Sequence, residues 1–419
     1  MPEGPKRLDR TERPADRTCQ REARPAIDSA DPTPEAVPVN PSFNRKQTML
    51  KSASGAMFLL LLAFAPPVTA QDQFERRVVP IDTARARLLY VSDAWEDHPD
   101  RNYASDMEGK ARTDSIYEEV TRGVVDYQKI TYRSRIDGRE IPAYVFQPLE
   151  KRGPMGHAAM VWVHGGVHGN WGVTMWPFVR EAVERGYVII APEYRGSTGY
   201  GEEHHRAIDY GGYEVDDVMS AFDYLTGTLT HVDPARVGMM GWSHGGLITI
   251  SSITRDQHPF RAGAALVPVT NLLFRLSFKG PGYQRNFATQ ERIQGLPFEQ
   301  REIYKERSPF YLVDNLQTPL MVHISTNDLD VNFEEASMLV YKLRATKPDI
   351  TETKIYVDPA PWGRSMGHAF SRRVDRETLE RVDSPAQRDS WNRTWTFLEE
   401  HLRPYEDPNV PAITRTSSN

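Results

Sequence analysis

The sequence predicts an α/β protein: a mostly parallel central sheet, helices on both of its faces and a small cap insertion. Three observations support this fold class. Between residues 123 and 405, short apolar runs alternate with amphipathic segments, the first two runs alternate residue by residue, and residues 271–312 interrupt the series with glycine, proline and charge. The chain has 419 residues, of which 39% are hydrophobic and 26% charged, which excludes disorder throughout.

The elements follow in chain order. Residues 127–133 and 141–147 alternate in hydrophobicity around Asp137-Gly138, a turn signal, and this pattern predicts a β-hairpin. The further predicted strands are 158–163, 187–191, 237–240, 264–267, 320–324 and 353–357. The predicted helices are 113–122, 176–184, 215–224, one that begins after Ser243, 333–343 and 386–401. Strands and helices in alternation imply parallel strands, and residues 271–312 form an expected cap or lid over the carboxyl edge of the sheet.

The sequence of the first 70 residues predicts a segment that does not fold, followed by an export signal. Residues 1–48 hold 8 of the 31 prolines and scattered charges, so we expect disorder there, or an extension that is mis-called because translation begins at Met49. Residues 49–70 combine a basic start, the apolar run 56–65 and a small-residue end, which is typical of a signal peptide cleaved near Ala70/Gln71. The location expected is secreted or periplasmic, and a buried core helix is the alternative.

The apolar run is far shorter than the roughly 20 residues of a spanning helix, so no permanent membrane anchor is expected. Residues 71–122 are polar and form a lead-in segment, residues 123–405 form the expected α/β domain with its cap insertion, and residues 406–419 form a C-terminal tail.

Charge and cysteine content exclude several classes of partner and site. The 51 basic and 57 acidic side chains give a formal net charge of −6 without a dense basic block, so nucleic-acid binding is not expected. Cys19 is the only cysteine, which excludes an intramolecular disulfide and a cysteine-based zinc site. The adjacent His204 and His205 do not have metalloprotease spacing, and no metal or cofactor is expected.

A strained serine turn is the strongest local motif. Residues 241–246 read Gly-Trp-Ser-His-Gly-Gly and lie between a buried strand and a helix. This is the context of a nucleophile elbow, in which Gly241 and Gly245 allow strand and helix to approach while Ser243 projects outward. Ser243 is therefore the candidate nucleophile.

A serine nucleophile requires a general base and a carboxylate that orients it. Asp328 and Asp330 follow the strand 320–324, and we choose Asp328, because Asp330 is more typical of a loop acid that caps the next helix. His368 follows Gly367 in a loop before the last helix and is the candidate base.

The oxyanion of an acyl-transfer transition state requires two backbone donors. One candidate is the N–H of His244, directly after the nucleophile, and the other is the N–H of Gly166 in the His-Gly-Gly loop 164–166. A tight turn is the alternative for this loop. Trp242 and Tyr200 are candidate substrate-binding residues, although a core position for Trp242 and a structural turn at Tyr200 remain open.

Taken together, these motifs resemble the catalytic domain of the prolyl oligopeptidase family of serine peptidases, within the α/β-hydrolase fold. The stretches that carry the resemblance are residues 164–166, 194–201, 233–238, 241–246, 328–331 and 367–368. The resemblance covers about residues 123–402. It implies a triad of Ser243, Asp328 and His368, an oxyanion hole of Gly166 and His244, and short peptides as substrates cleaved through an acyl-enzyme.

Two departures leave alternatives open. Members of the family usually carry an N-terminal β-propeller, whereas only about fifty residues separate Gln71 from the hairpin, and Val167 and Asn332 stand where the family often has proline. A secreted carboxylesterase is therefore one alternative, since an ester needs less protonation of its leaving group. A non-catalytic binding module is another. The oligomeric state is left undetermined.

Overall fold

The computed structural model describes residues 101–279, 281–359 and 367–410. Its centre is an eight-stranded sheet in the order β1-β2-β4-β3-β5-β6-β7-β8. The strands are β1 Asp126–Arg133, β2 Glu140–Gln147, β3 His157–Val163, β4 Val188–Pro192, β5 Val232–Trp242, β6 Gly263–Leu266, β7 Leu320–Ser325 and β8 Thr351–Tyr356. The first two pairings, β1 with β2 and β2 with β4, are antiparallel, and the other five are parallel. The α/β-hydrolase fold with a mostly parallel sheet is thereby confirmed.

Helices connect most of the parallel strands. They are α1 Tyr103–Val120, α2 Trp176–Glu184, α3 Gly201–Arg206, α4 Tyr213–Thr228, α5 His244–Ile253, α6 Leu272–Phe278, α7 Pro281–Ala288, α8 Arg301–Glu306, α9 Pro309–Leu312, α10 Phe333–Thr346 and α11 Pro385–Leu402. Four of these helices begin at side-chain caps that the sequence supplies, and α10 and α11 are examples. Asn332 accepts from the Glu334 N–H at 2.9 Å before α10, and Ser384 accepts from the Gln387 N–H at 3.2 Å before α11.

The sheet separates two hydrophobic cores, as the alternation of side chains along β3 illustrates. Met160 and Trp162 pack into one core with residues of α1, α2 and α11. Ala159, Val161 and Val163 pack into the other core with residues of α4, α5 and α10. Successive side chains of a strand point to opposite faces, so a fully apolar strand is covered by helices on both sides.

The inserted helices α6 to α9 lie between β6 and β7, in the predicted cap region 271–312. They contact loops at the carboxyl ends of the strands. Nη1 of Arg275 donates to the carbonyl of Asp330 at 2.9 Å, and the hydroxyls of Tyr283 and Tyr210 are 3.1 Å apart. The cap is thus joined to the loops that follow β4 and β7.

Helix α1 differs from its prediction. It begins at Tyr103, ten residues before the predicted start at residue 113, and it packs Tyr117 against the sheet. Several other predicted segments lie outside the described residues: the extension 1–48, the signal peptide 49–70 with its cleavage site, the lead-in up to residue 100 and the end of the tail from residue 411. Within the described ranges, no helix has the length and hydropathy that crossing a membrane requires.

Candidate active site

Ser243 occupies a sharp turn between β5 and α5. Its φ of +55° and ψ of −117° lie where residues other than glycine are rarely found, and its side chain is 7% exposed. A neighbouring strand stabilises this turn, because the N–H of Ser243 donates to the carbonyl of Leu266 on β6 at 3.0 Å. Such strain is typical of functional positions and matches the predicted elbow.

The two glycines that flank this serine are required by close backbone contacts. A Cβ at Gly241 would lie 2.2 Å from the carbonyl oxygen of Gly245, and a Cβ at Gly245 would lie 2.4 Å from that of Val163. Neither distance is sterically possible, and the neighbouring atoms belong to the backbone. Strand β5, helix α5 and the end of β3 can therefore meet at Ser243 only with glycine at both positions.

Asp328 and His368 form a hydrogen-bonded pair on neighbouring loops. Oδ2 of Asp328 lies 2.8 Å from Nδ1 of His368, and both side chains are buried. Oδ1 of Asp328 accepts from the N–H groups of Asp330 and Val331, each at 2.9 Å, which fixes the carboxylate plane. Because a carboxylate only accepts, Nδ1 of His368 donates and Nε2 carries the lone pair.

Asp330 has a different environment. Its side chain is 60% exposed, and its nearest ionic partner is Nζ of Lys279 at 3.7 Å. Neither acid caps α10, since Asn332 does so. The structure therefore places Asp328, and not Asp330, beside the imidazole.

The imidazole of His368 and the hydroxyl of Ser243 are not joined by a hydrogen bond among the residues that the structure describes. Catalytic hydrogen bonds are often long in enzymes without substrate and tighten in the complex. The arrangement thus contains the elbow and the oriented base, and proton transfer requires the base and the hydroxyl to approach.

The His-Gly-Gly loop lies against the elbow. A Cβ at Gly165 would lie 2.9 Å from the carbonyl oxygen of Trp242 and 3.2 Å from Cβ of Ser243. Gly166 has a φ of +63°, and its carbonyl accepts from the hydroxyl of Tyr194 at 2.9 Å. The backbone of the loop is thus held close to the nucleophile, as an oxyanion donor requires.

His244 offers its N–H in the first turn of α5, where backbone donors have no intrahelical acceptor. Its side chain is buried and forms a hydrogen bond to Glu214, with 3.1 Å between Nε2 of His244 and Oε1 of Glu214. Burial lowers the pKa of His244 to about 3. Burial, and next the charge of Asp209, raise the pKa of Glu214 to about 8. Both groups are therefore mainly neutral at pH 7.

The raised pKa of Glu214 predicts that it destabilises the fold as the pH rises. Between its ordinary pKa near 4.5 and about 8, the unfolded chain releases a proton that the folded chain keeps, so stability falls across this window. Glu214→Gln removes the titrating carboxyl group, and the amide that replaces it still offers a hydrogen-bond acceptor and a hydrogen-bond donor. We therefore expect the difference in melting temperature, variant minus wild type, to increase by roughly 5 °C or more between pH 5 and pH 8.

The matched control is Glu119→Gln, which neutralises an exposed carboxylate on α1. Calorimetric scans of the three proteins at both pH values provide the measurement. A difference between Glu214→Gln and wild type that stays constant with pH would mean that Glu214 is ionised in the fold.

The structure places Trp242 in the core and Tyr200 beside α1, and a role of either residue in substrate binding stays a prediction. Trp242 is 1% exposed, stacks on Trp162 with ring centroids 5.8 Å apart, and donates through Nε1 to Oγ of Ser371 at 3.0 Å. Tyr200 is half-buried, and its ring lies 5.7 Å from Nζ of Lys110 and 5.3 Å from Nζ of Lys129. Tyr200 therefore faces α1 and β1.

Sequence reasoning missed two buried polar networks near the site. Lys110 of α1 is paired with Glu193, and Arg275 of α6 donates to the carbonyl of Asp330. An acidic residue directly after the apolar strand β4 was the only local signal for Glu193. No signal exists for Lys110, whose partner is 83 residues away. No group of three or more His, Cys, Asp or Glu suited to a metal ion occurs within the ranges that the structure describes.

Comparison with known proteins identifies a related family. The profile of the prolyl oligopeptidase family matches residues 176–378. The uncharacterized peptidase YuxL of Bacillus subtilis is 30% identical over 219 residues, which are 52% of this chain and 33% of that protein. Dipeptidyl aminopeptidase BIII of Pseudoxanthomonas mexicana is 27% identical over 52% of this chain. The acylamino-acid-releasing enzyme of Homo sapiens is 28% identical over 50% of this chain. The match covers 31% and 29% of these two proteins, so the chain spans about a third of its curated relatives.

Solved structures support the fold. The acylaminoacyl peptidase of Pyrococcus horikoshii superposes with a TM-score of 0.55 and 22% identity, over 70% of this chain and 44% of that one. Dipeptidyl peptidase 4 of Porphyromonas gingivalis superposes with a TM-score of 0.51 and 21% identity, over 69% of this chain and 37% of that one. The sequence stretch matched by the family profile includes Ser243, Asp328 and His368, but neither Gly166 nor α1.

Proposed function

Residues 176–378 form a domain of the prolyl oligopeptidase family, and from this premise we propose that the protein is a serine peptidase that cleaves short peptides through an acyl-enzyme. The observation that supports the proposal most strongly is the hydrogen bond of 2.8 Å between Asp328 and His368, on loops at the same sheet edge as the strained Ser243. The names of two relatives, a dipeptidyl aminopeptidase and an acylamino-acid-releasing enzyme, favour peptide substrates.

In the acylation step, Oγ of Ser243 attacks the carbonyl carbon of the scissile bond while Nε2 of His368 takes the hydroxyl proton. Asp328 stabilises the resulting imidazolium through its bond to Nδ1. The negative charge on the former carbonyl oxygen is stabilised by the N–H groups of Gly166 and His244. When the tetrahedral intermediate collapses, His368 gives its proton to the leaving amine and the acyl group stays on Ser243.

Deacylation repeats the same steps with water. His368 removes a proton from the water as it attacks the acyl-enzyme, and the same two N–H groups stabilise the second tetrahedral intermediate. Its collapse breaks the bond to Oγ, and the proton on His368 returns to Ser243. The carboxylic acid product leaves and the triad is restored.

Labelling with a fluorophosphonate, followed by a substrate panel, tests this function. We expect the probe to modify Ser243, identified by mass spectrometry of the labelled peptide. The panel compares aminoacyl, dipeptidyl and acylaminoacyl p-nitroanilides with p-nitrophenyl esters of the same acyl groups. Hydrolysis of at least one anilide supports a peptidase. Hydrolysis of esters alone would replace the peptidase by a carboxylesterase, and absence of labelling would favour a binding module.

We also propose that the chain is exported and cleaved near Ala70/Gln71. The support is the sequence of residues 49–70, with a basic start, a short apolar run and a small-residue end. Expression of the full chain in a bacterial host, fractionation and N-terminal sequencing provide the test. We expect the exported protein to begin at or near Gln71, and an uncleaved product confined to the cytoplasm would contradict export.

A further inference from the structure

A buried lysine of α1 has no role in the chemistry proposed above. Lys110 is 2% exposed, although lysine is almost never fully buried unless it is paired. Its Nζ forms an ion pair with Glu193 and donates to the carbonyl of Trp171 at 2.8 Å. Nζ also lies 4.5 Å from the ring centroid of Tyr144. Its charged end is therefore surrounded by fixed protein partners.

These partners lead to the loop that carries Gly166. We call residues 164–172 the oxyanion loop. Oε1 of Glu193 also accepts from the N–H of Trp171 at 2.9 Å, and its Oε2 lies 3.6 Å from Nε2 of His164. Both ends of the oxyanion loop thus adjoin one carboxylate, and Lys110 neutralises that carboxylate.

A second residue of α1 contacts the same loop. The hydroxyl of Tyr117 donates to the carbonyl of Gly172 at 2.8 Å. Seven residues separate Lys110 and Tyr117, which is two helical turns, so both side chains project from one face of α1. One rigid helix therefore fixes the far end of the oxyanion loop at two points.

We propose that Lys110 is a positioning residue for the oxyanion hole: through Glu193 and Trp171, it holds the oxyanion loop where the N–H of Gly166 can reach the transition state. This inference rests on the proposed function. Lys110 touches neither Ser243 nor His368 in the described part of the chain, so it acts through the loop. Preorganised donors are sensitive to small displacements, and a shift of about 1 Å can lower a rate by roughly 100-fold.

The test uses the full chain with Lys110→Met and Glu193→Gln combined. The pair of changes removes both charges together and leaves no unpaired buried ion, while the glutamine can still accept from Trp171. We expect kcat to fall by roughly 10- to 100-fold with KM changed less than threefold. Affinity for a peptidyl trifluoromethyl ketone, whose adduct places an oxyanion in the hole, should fall by the same factor as kcat/KM.

Ground-state binding separates positioning from general damage. In a Ser243→Ala background, the substrate peptide should bind with the same dissociation constant whether or not the Lys110 and Glu193 changes are present. The control is Lys151→Met with Asp126→Asn, which removes a more exposed ion pair at β1 that has no contact with Lys110 or Glu193 among the described residues. The control should keep the wild-type kcat and inhibitor affinity.

If the double variant does not fold, Tyr117→Phe gives a second test. It removes one hydrogen bond to Gly172 without leaving a cavity, and we expect a smaller fall in kcat, about three- to tenfold, again with matching loss of ketone affinity. A folded variant with kcat and ketone affinity within twofold of wild type would overturn the proposal. The failure of the proposed function is a separate result, because the wild type would then neither turn over substrate nor label at Ser243.

Discussion

Replacing Ser243 by alanine should lower kcat/KM by roughly 10⁴- to 10⁶-fold, the largest effect that we expect for any side chain. The hydroxyl forms the covalent bond to the substrate, and no other group in the site can take its place. The folded state should change little, because the backbone turn at φ +55° is held by Gly241, Gly245 and the bond to Leu266. Steady-state hydrolysis of an activated ester and calorimetry measure the two quantities.

Ser251 provides the matched control for this substitution. It is buried on the same helix, α5, and Ser251→Ala removes the same hydroxyl group outside the site. We expect this variant to keep its activity within twofold. If Ser243→Ala retained more than about a tenth of the wild-type activity, Ser243 could not be the nucleophile.

Asp328→Asn should lower kcat by roughly 10³- to 10⁴-fold with the fold intact. Oδ1 of Asp328 accepts from two backbone N–H groups, so the asparagine must keep its oxygen at that position. Its amide group then faces Nδ1 of His368 and donates to it. This reverses the tautomer, places the proton on Nε2 and removes the lone pair that would accept the proton of Ser243.

Asp330→Asn tests the same prediction by contrast. Asp330 lies two residues away with its side chain mostly exposed, and its loss should change kcat by less than about threefold, as for an exposed ion pair. Parallel measurements of kcat and melting temperature decide between the two acids. Equal losses in both variants, or a greater loss in Asp330→Asn, would contradict the assignment of Asp328.

The fold and the candidate triad were accessible from the sequence because their signals are local. Helix α2 lies at the predicted residues 176–184, since its apolar positions recur with the helical period between clear breaks. Ser243 and His368 stand beside glycines that close backbone contacts require. A Cβ at Gly367 would lie 2.5 Å from the backbone carbon of Asn327, next to Asp328. The glycines in the sequence thus indicated the loops at the strand ends that carry the candidate catalytic side chains.

The rest depended on contacts between distant segments. Trp242 precedes the nucleophile, and adjacent residues of a strand point to opposite faces, so its ring enters the core beneath α11. The sequence motif alone does not distinguish that face from a pocket. The sequence of α1 was interpreted only as part of a polar lead-in segment, because tertiary structure alone brings Glu193 to Lys110.

The most direct measurement of the central claim is a crystal structure of the fluorophosphonate adduct. We predict phosphorus bonded to Oγ of Ser243, the phosphonyl oxygen within about 3.2 Å of the N–H groups of Gly166 and His244, and Nε2 of His368 at hydrogen-bond distance from Oγ. An adduct on another residue, or an imidazole turned away from Ser243 while it remains bonded to Asp328, would contradict this account.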